Sequence, residues 1–207
     1  MMTYQLWYVN RTLDMQMTGL REVREETADE SVIAAEESET DTPKQHEQTL
    51  PQAEMLYGMS ELYVQNEDLI SWLYVDDTNI DYPVMQTPED ENYYLERDFL
   101  KNYNSNGCLI MDTDSVVGSG TAEKSYADGT LPGTNLIIHG HNMKNGNMFG
   151  NLDKYRDINY EKEHNIIKFT SLYEDREYEV MSVFLSQVYL KTQTDVFKYY
   201  EFFQADT

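Results

Sequence analysis

Basic residues are scarce in this sequence. Its 207 residues contain 15 Lys and Arg against 38 Asp and Glu, which gives a formal net charge of −23. A protein that binds a nucleic-acid backbone needs clustered lysines and arginines to neutralise the phosphates. The composition therefore predicts that nucleic acid is not a partner, and that anionic surfaces repel the protein.

Cysteine and long apolar runs are also scarce. The single cysteine, Cys108, cannot form an intramolecular disulfide, and no CxxC or Cys/His grouping indicates structural zinc. No stretch approaches the roughly 18 apolar residues of a membrane span, and the first residues do not form a basic segment followed by an apolar one. We therefore expect no membrane anchor, no targeting signal, no cofactor and no metal in these residues.

The chain divides into three segments by composition. Apolar residues recur at intervals of three and four near the start, which predicts an amphipathic helix over residues 1–26. Residues 27–52 are acidic and polar and contain no aromatic residue, which is typical of a flexible linker. Residues 53–207 are expected to form the folded domain.

The folded domain is predicted to be mainly β. Helices are predicted over residues 55–63 and 89–98. Strands are predicted over residues 73–75, 80–85, 107–111, 135–139, 166–170 and 178–185. Many short strands with few long helices indicate a barrel or a sandwich.

Residues 135–150 say most about function. They read Asn-Leu-Ile-Ile-His-Gly-His-Asn-Met-Lys-Asn-Gly-Asn-Met-Phe-Gly, so an apolar strand leads to His141 and a polar loop. Strand ends often hold catalytic groups, and histidine titrates near neutral pH. His139 shares a face with His141 if the strand extends that far. Such a pair could also bind a metal, although the sequence shows no third ligand.

Four blocks of sequence carry a family resemblance. They are Asn-Ile-Asp-Tyr-Pro-Val-Met-Gln at 79–86, Asn-Tyr-Tyr-Leu at 92–95, Gly-Cys-Leu-Ile-Met-Asp at 107–112, and the block at 135–150. In order and spacing they resemble the class B sortases of Gram-positive bacteria, over about residues 60–190.

This resemblance implies a sortase-type β-barrel with N-terminal helices, and a cysteine transpeptidase. Such an enzyme cleaves a C-terminal sorting motif of a secreted surface protein after a threonine, through a thioester acyl-enzyme. An amine of the cell-wall precursor then captures the acyl group. The intact family member is expected at the extracytoplasmic face of the cell membrane, which it reaches through an anchor that these residues do not contain.

The resemblance also implies residue roles. His141 falls on the catalytic histidine, a general acid and base, and His139 stands where the family usually has tyrosine. His139, Asn142 and Met143 are candidates for shaping the substrate groove. The family's nucleophilic cysteine and its arginine come later, and neither position exists here. We therefore expect a sequence truncated at both ends, with the last barrel strands missing and no catalytic activity of its own.

Cys108 is not expected to replace that nucleophile. Its strand is apolar on both faces, and its position in the family usually carries a small residue such as serine. A buried thiol has a raised pKa and is inert. Two other hypotheses stay open at this point: a non-catalytic, sortase-like peptide-binding module, and a metal-binding surface protein that uses His139 and His141.

Overall fold

The structure is a computed structural model that describes residues 17–25, 52–121, 126–185 and 192–195. Helix α1 is described over residues 17–25, followed by α2 (Tyr57–Gln65), a 3-10 helix (Phe149–Arg156) and α3 (Ile158–Glu163). None of the described helices is long and apolar enough to cross a membrane. The linker predicted over 27–52 lies outside the described residues, apart from residue 52.

Six strands form one sheet, which confirms the predicted mainly β fold. In chain order they are β1 (Leu69–Val75), β2 (Asp81–Met85), β3 (Leu109–Met111), β4 (Ile138–His139), β5 (Ile166–Ser171) and β6 (Asp175–Glu179). Their order across the sheet is β4-β3-β2-β1-β5-β6. Only β2 and β3 pair in parallel, and the other four described pairings are antiparallel.

Two of the predicted elements are wrong. Residues 89–98 form consecutive turns and no helix. Polar side chains here bond the backbone locally: Thr87 Oγ1 donates to the Asp90 carbonyl, and Asp90 Oδ1 accepts from the Asn92 N–H. Such bonds compete with a helical ladder.

The last predicted strand, 178–185, is also misplaced, because β6 covers Asp175–Glu179. It is the second arm of a hairpin whose register is set from Ile166↔Glu179 to Thr170↔Asp175. Residues 180–185 lie outside the sheet, and Met181 is 96% exposed. The apolar composition that indicated a strand there therefore does not correspond to burial.

The core lies against the centre of the sheet. Trp72, Tyr94 and Phe99 are its largest fully buried side chains, and Met17 and Leu20 of α1 join it. The Trp72 indole satisfies its polar edge by donating from Nε1 to Asp81 Oδ1 at 2.7 Å. Burial of this much aromatic surface contributes a large favourable free energy to folding.

A buried amide connects α2 to the turns that follow β2. Asn66 is 4% exposed, and its Nδ2 donates to Tyr94 Oη and to the Phe99 carbonyl, both at 2.7 Å. Its Oδ1 accepts from the Asp68 N–H at 3.1 Å. Tyr94 Oη donates in turn to Asp68 Oδ2 at 2.7 Å, and burial raises the pKa of this phenol, so that it stays protonated.

Replacing this amide is expected to be costly. Asn66→Ala removes three hydrogen bonds and leaves the buried Phe99 carbonyl without this donor, so we expect the free energy of unfolding to fall by about 2–4 kcal/mol. Asn92→Ala, at an exposed position, is the matched control and should change the value by less than about 0.5 kcal/mol. Urea unfolding curves measure the free energy of unfolding of both variants. Equal decreases in the two variants would contradict the expected contribution of the buried amide.

Candidate functional site

The site begins where β4 ends. Gly140 lies so close to its neighbours that an added Cβ would be 2.5 Å from Leu109 Cδ2 and 2.9 Å from Phe149 Cδ2. Any side chain there would collide with both. Glycine therefore lets the chain pass these two side chains without displacing them, and His141 follows outside the strand.

The loop after Gly140 closes on itself. The Phe149 N–H donates to the His141 carbonyl at 2.9 Å, and Asn142 and Met148 form an isolated antiparallel bridge. Within it, the Gly146 N–H donates to the Met143 carbonyl at 2.9 Å, with a Gly146 φ of +85°, a conformation that favours glycine. These bonds fix the backbone on both sides of the loop that begins at His141.

Contacts with the turn between β1 and β2 hold the loop from outside. Asn151 Oδ1 accepts from the Asn79 N–H at 2.7 Å, and Lys154 Nζ lies 2.9 Å from Asp77 Oδ2. The hydrogen bond from Lys154 lowers the pKa of the Asp77 carboxyl. The loop is therefore attached to the sheet at both of its ends.

The ring of His141 is half-buried and bonded at one nitrogen. Its Nε2 lies 2.9 Å from the carbonyl oxygen of Leu95. A carbonyl oxygen only accepts hydrogen bonds, so Nε2 carries the hydrogen. In the neutral ring Nδ1 is then the nitrogen that accepts a proton, which is the arrangement a general base requires.

The segment that carries the Leu95 carbonyl is itself well held. The Cys108 N–H donates to the Tyr94 carbonyl at 3.0 Å, and Arg97 Nη1 donates to the Tyr93 carbonyl at 2.6 Å. The Arg97 guanidinium also lies 4.3 Å from the centre of the Tyr93 ring. The Asn66 amide fixes the Tyr94 side chain. The partner of His141 is therefore a positioned backbone group.

His139 has a different set of contacts. Its Nε2 lies 3.3 Å from Asp112 Oδ2, and Glu91, in the turns after β2, lies beside Asp112. Burial and the nearby Asp112 carboxylate raise the pKa of Glu91. One ligand atom from each of these three residues lies within 4.8 Å of the other two.

The structure thus gives the two predicted histidines separate partners. The strand rule would place both on one face, but β4 ends at His139, and Gly140 redirects the chain. Sequence reasoning missed Glu91 and Asp112. Asp112 ends the sequence block at 107–112 and Glu91 precedes the block at 92–95, but nothing in the sequence links either of them to His139.

Asn142 and Met143 follow His141 in the loop. Asn142 is exposed, whereas Met143 is half-buried and packs against the core. Their contribution to a substrate groove stays a prediction.

Cys108 directly precedes β3. It is 6% exposed, which confirms the prediction of a buried thiol. Burial, with a smaller contribution from Asp98, raises its pKa well above the usual range. The thiol is therefore protonated at neutral pH and cannot act as a thiolate nucleophile.

The bond to Leu95 predicts the tautomer of His141. Long-range ¹H–¹⁵N correlation spectra of the neutral ring should show mainly the Nε2–H form, because Nε2 donates to a carbonyl. The ring signal that disappears in His141→Gln is assigned to His141. A predominant Nδ1–H form would contradict the contact.

Burial predicts that Cys108 reacts slowly. A thiol-specific disulfide reagent at neutral pH should label the native protein at least about 100-fold more slowly than the urea-unfolded protein, because the native thiol is covered and protonated. Cys108→Ser should abolish the signal in both states. Equal rates in the two states would show an accessible thiol.

Comparison with known proteins adds an independent line of evidence. No family model matches the sequence. Sortase B of Listeria monocytogenes is 31% identical over 126 residues, which are 61% of this chain and 46% of that protein. Sortase B of Staphylococcus aureus is 25% identical over 167 residues, which are 79% of this chain and 61% of that protein. The chain thus spans less than two thirds of either relative.

The fold agrees with these matches. A crystal structure of sortase B from Bacillus anthracis, in complex with AAEK1, superposes with a TM-score of 0.62 at 25% identity. The match covers 93% of this chain and 75% of that one. In sequence and in fold, this chain is therefore similar to sortase B proteins.

Proposed function

We propose that this sequence is the histidine-bearing part of a cysteine transpeptidase of the sortase type, and that His141 is its general acid and base. The observation that carries the proposal is the 2.9 Å contact between His141 Nε2 and the Leu95 carbonyl. It fixes one ring nitrogen and leaves the other to exchange protons.

The proposed reaction has two steps. A cysteine thiolate attacks the carbonyl carbon of a threonine in the sorting motif, a carbon–sulfur bond forms, and the peptide carbon–nitrogen bond breaks. The imidazolium of His141 gives its proton to the departing amine. An incoming amine then attacks the thioester, neutral His141 takes a proton from it, and the thiolate leaves. Protons and charge balance over the two steps.

The proposed donor substrate is the sorting-motif peptide of a secreted surface protein, and the proposed acceptor is an amine of the cell-wall precursor. A solved Staphylococcus aureus sortase B structure is a substrate complex, and it shares this fold with a TM-score of 0.54. His139, Asn142 and Met143 would border the peptide. Surface-protein anchoring implies action at the extracytoplasmic face of the cell membrane.

We further propose that the 207 residues do not catalyse this reaction unaided. Their single cysteine is buried, and its raised pKa keeps it protonated. The three arginines of residues 53–207, Arg97, Arg156 and Arg176, bind local carbonyls or carboxylates. None of these contacts resembles an oxyanion site beside His141.

The inert thiol also favours a second candidate, a peptide-binding module that holds a sorting motif without cutting it. In that function His141 would contact the peptide and would transfer no proton. The two candidates predict the same absence of cleavage by these residues, so a cleavage assay of this chain alone does not separate them.

The first test is the activity of the 207-residue protein. Fluorogenic peptides with a threonine before the scissile bond should not be cleaved above the rate without protein, because no thiolate is available. The same peptides with a fluorescent label should still bind, as measured by anisotropy. Cleavage that disappears in His141→Ala would contradict the proposed inactivity.

Reading the coding sequence past codon 207 separates the two candidates. A continuous frame with a cysteine-containing strand and a later arginine supports the enzyme. The protein made from that frame should then lose about 10²- to 10⁴-fold in kcat/KM on His141→Gln, the usual range for a general acid–base group. A stop codon at this point would support the peptide-binding module instead.

A further inference from the structure

The geometry points to a divalent transition-metal site formed by His139, Asp112 and Glu91. We propose that this site binds Zn²⁺ or a similar ion through one imidazole nitrogen and two carboxylate oxygens. It goes beyond the proposed transpeptidase function and does not depend on it.

The three ligand atoms converge from separate parts of the chain. Asp112 follows β3, His139 ends β4, and Glu91 lies in the turns after β2. The pairing of Ile110 with His139 sets the first two side by side. One ligand atom from each residue lies within 4.8 Å of the ligand atoms of the other two. One ion can bridge this spacing after small side-chain adjustments.

Asp112 is held as a preorganised ligand. Its side chain is 10% exposed, and its Oδ1 accepts from the Asp114 N–H at 2.9 Å, which leaves Oδ2 directed towards His139. Its backbone is fixed on both sides, by the Ile137 carbonyl at 2.9 Å and by Gln86 Nε2 at 2.8 Å. Outer contacts of this kind orient metal ligands and increase affinity.

The charge of the cluster also favours a cation. One carboxylate oxygen of Asp112 lies within 4.8 Å of one of Glu91, and Asp114 adds to the negative field at Glu91. Among the described residues, no lysine or arginine forms an ion pair with Asp112 or Glu91. A divalent ion would supply the positive charge that this partly buried carboxylate pair lacks.

The ligand types select the class of ion. Ca²⁺ and Mg²⁺ prefer oxygen ligands alone, whereas Zn²⁺ and its neighbours accept imidazole together with carboxylate. His139 is 45% exposed, so one side of the site opens to solvent. Three protein ligands and a water molecule would complete a tetrahedral Zn²⁺ site.

This site differs from the His139–His141 pair that the sequence suggested. His141 Nε2 is bonded to the Leu95 carbonyl and is not a member of the cluster. A bound ion would instead join residue 91 to residue 139, and so connect the turns that carry Leu95 to the strand that leads to His141.

Calorimetric titration of the 207-residue protein with ZnCl₂ tests the proposal. We expect one ion per chain, and visible absorption of a four-coordinate complex when Co²⁺ replaces Zn²⁺. His139→Gln and Glu91→Gln should each weaken binding at least about tenfold, because each removes a ligand. The matched controls His141→Gln and Glu89→Gln should bind as the unmodified protein does. His139 and Glu91 are exposed, and circular dichroism melts would verify that each variant is folded.

Three outcomes would overturn the site. They are the absence of binding by the unmodified protein, unchanged binding in folded His139→Gln, and an equal loss in His141→Gln and His139→Gln. The last outcome would assign the ion to the two-histidine pair.

Discussion

The buried amide of Asn66 is the contact on which the arrangement of the site depends. It ties the end of α2 to Tyr94 and Phe99, and so holds the turns after β2 against the sheet. Those turns have no helical ladder to stabilise them, and their position is set by such side-chain bonds. Because these turns present the Leu95 carbonyl and the Glu91 carboxylate, one buried hydrogen-bond network helps to position both groups near the two histidines.

Gly140 provides a second constraint on the site, directly after β4. Gly140 lets the chain pass between Leu109 and Phe149, and this close passage separates two histidines that are only two residues apart. His139 stays with the sheet and meets carboxylates, whereas His141 meets a backbone carbonyl. A carboxylate partner and a carbonyl partner support different chemistry, metal binding in one case and proton transfer in the other.

The sequence predicted the type of fold better than its local details. Strands such as β2 and β3 were predicted because their consecutive apolar residues are buried. The turns at 89–98 were mistaken for a helix because Thr87 and Asp90 bond the backbone locally, which periodicity does not reveal. The 178–185 prediction failed because apolar composition does not show which strand will be available for pairing.

The sequence by itself indicated the mainly β fold, the resemblance to class B sortases, the place of His141 after an apolar strand and the burial of Cys108, since these follow from motifs, composition and local patterns. Only the tertiary structure decided that His141 donates to Leu95 and that Glu91, Asp112 and His139 form one cluster. The physical reason is distance along the chain. Residues 46 apart for one contact and 27 apart for the other meet only through strand pairing and buried side-chain bonds, and neither leaves a local sequence signal.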